Sequence, residues 1–404
     1  MMNETRRRSQ AHFDWPLLVA VYALAALGIL CITMATYDAS VNGDQPLLNK
    51  ILSSRSGMWQ SIFLMVSPVV IGVIMAIPTE IYKARARLAY MAVLGLLVVT
   101  LVAGQVSNGL KGWLKSTILG RSIQPCEFAK LGVLLMLARQ LSRSEKPMGN
   151  MKEFFRVFIG VGIPSSVVLL QGETGSVLVI LFMFLVMIYF AGVDLRIILG
   201  IAAVGAVGIG VVVAYGLMAD DPDYRILRLL AFLDPSKYFQ TGGYQLLRCQ
   251  EVIGRGGMTG IGTFVEGSCT SLGYVPESST DAIFTVVAES FGFVGCVAVL
   301  LVYLFIIVRM LYLARFTNDK FGQLVIIGVM AMLLFHIFEN VAMDIGYMPI
   351  TGIPLPFVSY GGSNFITNVA GVALVLNVTR GRSAAAMLTV PLPRINSGRR
   401  TAKG

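Results

Sequence analysis

Charge is scarce in this sequence. Asp, Glu, Lys and Arg make up 13% of its 404 residues, against about 25% in soluble domains. That deficit excludes an ordinary soluble globular chain. The hydrophobic fraction of 56% and mean hydropathy of +0.75 instead point to many membrane crossings. Histidine is nearly absent: only His12 and His336 occur, which excludes a histidine-rich metal site. The five cysteines, Cys31, Cys126, Cys249, Cys269 and Cys296, follow none of the spacings that hold zinc or iron–sulfur clusters. Cys249 and Cys269 share one polar stretch and are the pair a disulfide would join, with unpaired thiols as the alternative. No small-residue cleavage site follows the first apolar run, so it reads as a span and not a removed leader.

What remains is apolar sequence in long runs. A span needs about 20 mostly apolar residues, and ten segments qualify: 15–36, 58–78, 87–104, 123–141, 154–170, 174–192, 196–217, 282–308, 322–343 and 363–379. The expected fold is therefore an all-α polytopic membrane protein. It has a short segment 1–14, a transmembrane domain 15–380 and a tail 381–404 expected to lack order. Between the seventh and eighth spans lies a long stretch, 218–281, too polar to cross. Stretches of this length are usually functional or disordered, and the apolar patch 226–233 argues for partial order.

Basic residues set the orientation. Arg6 to Arg8, Lys83, Arg85, Arg87, Arg139, Arg143, Lys146, Lys152, Arg309, Arg315, Lys320 and the arginines of the tail all fall on one side of a ten-span chain. The positive-inside rule then puts both termini in the cytoplasm and 218–281 outside. It also accounts for the net charge of +10 without a nucleic-acid partner. One outer connection breaks the rule: Lys111, Lys115 and Arg121 have no acidic residue among them. An uncompensated cluster of this kind suits an anionic ligand such as phosphate, or alternatively lipid headgroups.

Asp281 stands where the eighth span begins. A carboxylate there serves as a helix-start residue, favoured in its ionised form by the helix dipole, and it can also act as a general base at a water-filled membrane edge. Inside the spans, Glu127 and Lys130 are three residues apart and can share a helix face as a pair. Glu289 and Glu339 are costly at that depth and must pair or line a cavity. Two glycine- and proline-rich runs, Gly352 to Pro356 and Ser359 to Ser363, imply non-helical backbone before the last span. Such backbone is tolerated at membrane depth only where it is buried or lines a cavity.

These pieces together resemble the SEDS family, which includes RodA, FtsW and SpoVE. The matching stretches are Gln124 to Lys130, Phe232 to Pro235, Gly243 to Gln245, Ile253 to Gly257, Pro276-Glu277 with Thr280-Asp281, and Pro349 through Ser363. The likeness runs in order over about residues 15–380. It implies a ten-helix glycosyltransferase that polymerises lipid II into glycan strands outside the cytoplasmic membrane, for elongation, division or sporulation. The implied partner is a class B penicillin-binding protein. By this resemblance Asp281 matches the essential loop aspartate, acting as base directly or through a divalent cation such as Mg or Mn. Lys111, Arg121, Arg225 and Arg228 would hold the lipid diphosphate, with Glu277 and Ser363 also at the substrate site and Glu127, Lys130, Glu289 and Glu339 in structural or cavity roles. A precursor flippase and a low-activity scaffold for a partner synthase are the competing readings.

The chain departs from the family pattern at several positions. Gly112 replaces an Arg before Trp113, Cys126 replaces Ser, and Gly172-Glu173 replaces Pro-Asp. Arg248-Cys249, Ala282 and Ser290 are further departures.

Overall fold

The computed structural model describes residues 13–37, 45–107, 110–116, 121–144, 147–218 and 224–388. The tail beyond Leu388 and most of the segment before the first helix lie outside the described residues. Among the described residues the helices are, in order, α1 (Trp15–Ala35), α2 (Leu47–Ser53), α3 (Arg55–Ala76), α4 (Thr79–Ala103), α5 (Pro125–Leu141), α6 (Met151–Leu170), α7 (Thr174–Phe190), α8 (Leu195–Met218), α9 (Tyr224–Leu233), α10 (Gly243–Gly256), α11 (Ile283–Arg315), α12 (Lys320–Ile345) and α13 (Gly362–Leu388).

Each of the ten expected spans corresponds to one of these helices. Seven of them, α1, α3, α4, α6, α11, α12 and α13, are long and apolar enough to cross a membrane by length and composition. The protein is an integral membrane protein. Helices α5 and α7 have 17 residues each, and α5 carries Glu127 and Lys130 within its length. The last helix overruns the expected boundary at residue 380 and continues to Leu388.

Short polar side chains set several helix starts. Asp14 accepts from the Leu17 amide at 3.1 Å to begin α1, and its carboxylate also meets Arg309 at 2.9 Å, which ties α1 to α11. Asn150 caps α6 through the Glu153 amide, and Asp319 caps α12 through the Gly322 amide. Helix α12 forms the centre of the bundle, packed by α5, α7, α11 and α13. Its face is apolar as far as Leu333 and then turns polar: His336, Glu339, Asn340 and Asp344 are all fully buried.

Two features were not expected. A small antiparallel sheet, β1 (Gln105–Ser107), β2 (Leu110–Ser116) and β3 (Arg121–Ile123), occupies the connection between α4 and α5. The fourth span therefore starts at Pro125, where a proline at the first helical position is pre-organised, and not at residue 123. Second, α11 is broken at Gly292, whose φ is +65°. A strap from the long outer stretch is spliced into the break. The amides of Ile261 and Gly262 donate to the carbonyls of Glu289 and Ser290 at 2.9 and 3.1 Å. The amides of Phe293 and Val294 donate to the carbonyls of Gly257 and Met258 at 2.9 and 3.1 Å. A Cβ at Gly260 would lie 2.2 Å from the Ser290 carbonyl oxygen, so only glycine allows this approach. The glycines around residue 256 thus serve backbone packing, and four of the helical groups at the break find partners in the strap.

The described part of the long polar stretch, residues 224–281, is itself ordered. It folds into α9 and α10 and a turn-rich run that leads back to α11. Cys249 and Cys269 are buried free thiols in one small apolar cluster with Val252, Val275 and Ala282.

Candidate active site

The site lies where α11 starts and gathers parts distant in sequence. Asp281 occupies the turn before α11, two residues ahead of Ile283. Contrary to expectation it does not cap the helix: Ala282 is the capping residue, with no side-chain hydrogen bond. The Asp281 carbonyl instead accepts from the Asn340 side-chain amide, which also donates to the Ile353 carbonyl at 2.8 Å. Asn340 therefore staples the Asp281 turn to the non-helical run that follows α12.

That run, residues 350–356, forms the wall of the site. Arg228 of α9 donates to the Ile350 carbonyl at 3.1 Å. Thr351 donates its hydroxyl to Glu339. Gly352 has φ +76°, and a Cβ there would sit 3.1 Å from Asp281 Oδ2, so the glycine leaves the carboxyl its place. A Cβ at Gly175 of α7 would meet the Ile353 side chain at 2.7 Å, which brings the start of α7 against the same wall. The Tyr360 amide donates to the Ser279 carbonyl at 2.9 Å and closes the far side.

Glu173, immediately before α7, faces Asp281 across this wall. Its Oε1 accepts from Gln124 Nε2 at 2.9 Å, and the Gln124 amide donates to Ser363 Oγ at 3.0 Å. Ser363 thus anchors the start of α5. One turn further in, Lys130 Nζ meets Glu127 Oε1 at 2.8 Å and His336 Nε2 at 2.9 Å. Asn364 donates to Glu127 Oε2 at 3.0 Å. The Glu127–Lys130 pair is thereby held between three helices, α5, α12 and α13.

Electrostatics at the site overturn the expectation that the helix dipole keeps Asp281 readily ionised. Burial first, then the neighbouring Glu277 and Glu173 carboxylates, push Asp281 up to about 7, with Arg228 pulling the other way. Burial likewise raises Glu173, opposed by its Gln124 hydrogen bond. Desolvation outweighs the dipole here because several carboxyls share one partly closed space. Asp281 still keeps part of its surface open.

The other expected site residues divide as follows. Glu277 is exposed, has φ +55°, and accepts from Thr280 Oγ1 at 2.8 Å. Glu289 pairs with no base: its two oxygens accept from the Cys269 and Thr270 amides at 2.7 and 3.0 Å, and it anchors the outer stretch. Glu339 has no basic partner either, and its second oxygen makes no hydrogen bond among the described residues. The backbones of Lys111 and Arg121 lie on β2 and β3 and that of Arg225 on α9, but their side chains lie outside the described part. The sheet nevertheless reaches the site, since a Cβ at Gly112 of β2 would lie 2.4 Å from Glu173 Oε1. Among the described residues no group of three His, Cys, Asp or Glu side chains is arranged to hold a metal ion.

Sequence reasoning did not place Glu173, Gln124, Asn340, Asp344 or Asn364 at the site. Asn340 and Asp344 had a usable signal, since polar residues deep in a span rarely lie idle. Gln124 and Glu173 stood in stretches that carry the family resemblance, but only the fold brings them to Asp281.

A bundle of membrane helices with a half-open carboxyl cluster at one end, walled by non-helical backbone, defines a polytopic membrane protein with a reaction or binding site at its surface. Comparison with known proteins makes this specific. Residues 15–384 match the cell cycle protein family model of FtsW, RodA and SpoVE, and the chain belongs to that family. It is 33% identical over 310 residues to the peptidoglycan glycosyltransferase MrdB of Escherichia coli K12, covering 76% of this chain and 82% of that one. It is 29% identical to the peptidoglycan glycosyltransferase RodA of Treponema pallidum, covering 92% and 99%. Among solved structures, a chain of a peptidoglycan synthase complex that coordinates polymerization and crosslinking matches with a TM-score of 0.73 and 28% identity over 92% of this chain and 98% of that one. Thermus thermophilus RodA matches with a TM-score of 0.65 and 28% identity, covering 92% and 97%.

Proposed function

We propose that this protein is a peptidoglycan glycosyltransferase that polymerises lipid II at the outer face of the cytoplasmic membrane. The observation that carries the reading is Asp281, a partly exposed residue whose carboxyl is pushed up to about 7, with Arg228 pulling the other way. A general base works best when its pKa lies near the operating pH. In its ionised form Asp281 takes the proton from the acceptor sugar's 4-hydroxyl. The freed oxygen forms a bond to the anomeric carbon of the donor from the side opposite the leaving group. The anomeric carbon–oxygen bond to the diphosphate breaks, the electron pair leaves with the lipid diphosphate, and the anomeric centre is inverted.

Arg228 is the described cation that acts on both Asp281 and Glu173. A guanidinium suits diphosphate recognition through paired hydrogen bonds. Lys111, Arg121 and Arg225 stand on elements that meet the same end and are assigned to the same anion. No three of the described His, Cys, Asp or Glu side chains are arranged to hold a metal ion. A Mg or Mn ion, which commonly binds through one or two carboxylates and substrate phosphates, would be held by Asp281 and the diphosphate, and this reading takes Asp281 as acting directly. Both termini face the cytoplasm by the distribution of Lys and Arg. A class B penicillin-binding protein is the partner that would cross-link the product.

A flippase would use a discontinuous helix to present open backbone to its cargo. The break in α11 is filled by residues 257–262 of the same chain, which argues against that role.

The test is polymerisation of purified lipid II with the products separated on a gel, wild type beside Asp281→Ala. Long glycan from the wild type and none from the variant supports the reading. Equal polymer from both removes Asp281 from the chemistry, and none from either, with a partner synthase added, favours the scaffold.

A further inference from the structure

The opposite end of the bundle holds a cavity that the proposed chemistry does not use. Its volume is about 560 Å³, and it lies among the start of α4, the end of α5, the connection after it and the first turns of α6. Arg87, Arg139, Arg143 and Arg156 stand on its wall, with Glu153 as the one carboxylate among the described residues. Arg139 donates to the Ala84 carbonyl at 3.0 Å, and none of the four arginines forms an ion pair among the described residues. A basic excess at this end satisfies the positive-inside rule, but that rule requires no cavity.

A further observation defines what the cavity would take. The remaining wall is apolar, through Met136, Leu141 and Val157, and on α6 the neighbouring Met151, Phe155 and Phe158 are exposed. Phosphate-binding arginines and an apolar flank are the requirements of an acidic lipid headgroup with its acyl chains alongside. Basic pockets between helices at a membrane surface bind such headgroups.

We propose that this cavity is a binding site for an acidic glycerophospholipid. The arginines take the phosphate, and the acyl chains run along α6. The site needs only that this end of the bundle lie at a membrane surface, and it stands whether or not Asp281 is the base.

The experiment uses the purified full chain in neutral detergent, with lipid retention read by native mass spectrometry. Phosphatidylglycerol should be retained in preference to phosphatidylcholine. The Arg143→Gln/Arg156→Gln pair should weaken it about thirtyfold, since each basic group near a lipid surface is worth about 1 kcal/mol. An Arg85→Gln/Arg315→Gln pair, equal in charge change but off the cavity, should leave retention unchanged. A melting curve on each variant checks its fold. Equal retention of phosphatidylcholine, equal loss in the off-cavity pair, or displacement of the lipid by inorganic phosphate alone would each overturn the assignment.

Discussion

The first segment of α11 has a carboxylate near each end, and the two are built in opposite ways. At the inner end Glu289 is fully buried and saturated, with two backbone amides on its two oxygens and a spliced strap satisfying the backbone around it. At the outer end Asp281 keeps part of its surface open, stands among other acidic groups, and is pushed up to about 7. Both are acidic residues close to membrane depth. Satisfied partners make the first a fastener. Their shortage leaves the second a group whose proton can come and go.

The largest expected effect is on Asp281. Asp281→Asn should lower lipid II polymerisation by about 10²–10⁴-fold, the usual worth of a general base. The same change should raise the melting temperature at pH 8. A carboxyl whose folded pKa lies above its unfolded value contributes stability below the unfolded value, and that contribution is lost as pH rises through about 7. A neutral amide removes that loss. A variant that is inactive and also less stable at pH 8 would break the contrast.

Glu289 should behave in the opposite sense. Glu289→Ala strands the buried amides of Cys269 and Thr270 and should cost about 2–3 kcal/mol in unfolding measurements. Glu289→Gln keeps one acceptor oxygen and should recover part of that. Polymer yield per folded molecule should change little, and a loss matching that of Asp281→Asn would put Glu289 in the chemistry.

A smaller effect is expected where two departures from the family pattern meet. Gly112→Ala places a methyl 2.4 Å from Glu173 Oε1 and should cost about 1 kcal/mol by displacing the carboxyl from Gln124. Adding Glu173→Asp shortens that side chain and should restore stability. Additive costs in a double-mutant cycle would show that the two positions are independent.

The smallest effect concerns the pH profile. Polymerisation should rise with pH as Asp281 ionises, with its midpoint near the value of about 7. Glu277→Gln removes a neighbouring negative charge, makes ionisation easier, and should move the midpoint to lower pH by less than about one unit, because Glu277 is exposed and its charge is screened. A midpoint that stays in place would exclude Glu277 from the carboxyl cluster.

The ten helices were legible because hydropathy alone separates apolar runs of about 20 residues from polar turns, and even α5, with its charges, kept apolar residues around Glu127 and Lys130. The sheet was not legible. Strands as short as Gln105–Ser107 and Arg121–Ile123 carry too few residues to show alternation. The break in α11 was hidden for another reason: Phe291-Gly292-Phe293 reads as an unremarkable glycine in a span, and what opens the helix there is a strap some thirty residues upstream. Asp281 could be picked out by its motif and position. Its raised proton affinity could not, because Glu173 lies more than a hundred residues earlier and meets it only in the fold.

The spliced strap also orders the birth of the protein. Four backbone groups of α11 have no mates within their own helix and are completed by residues 257–262. The eighth span is therefore not a finished unit until residues 257–262 have packed into its break. Assembly of this half of the molecule is a joint event between a hydrophobic rod and the polar chain that plugs it.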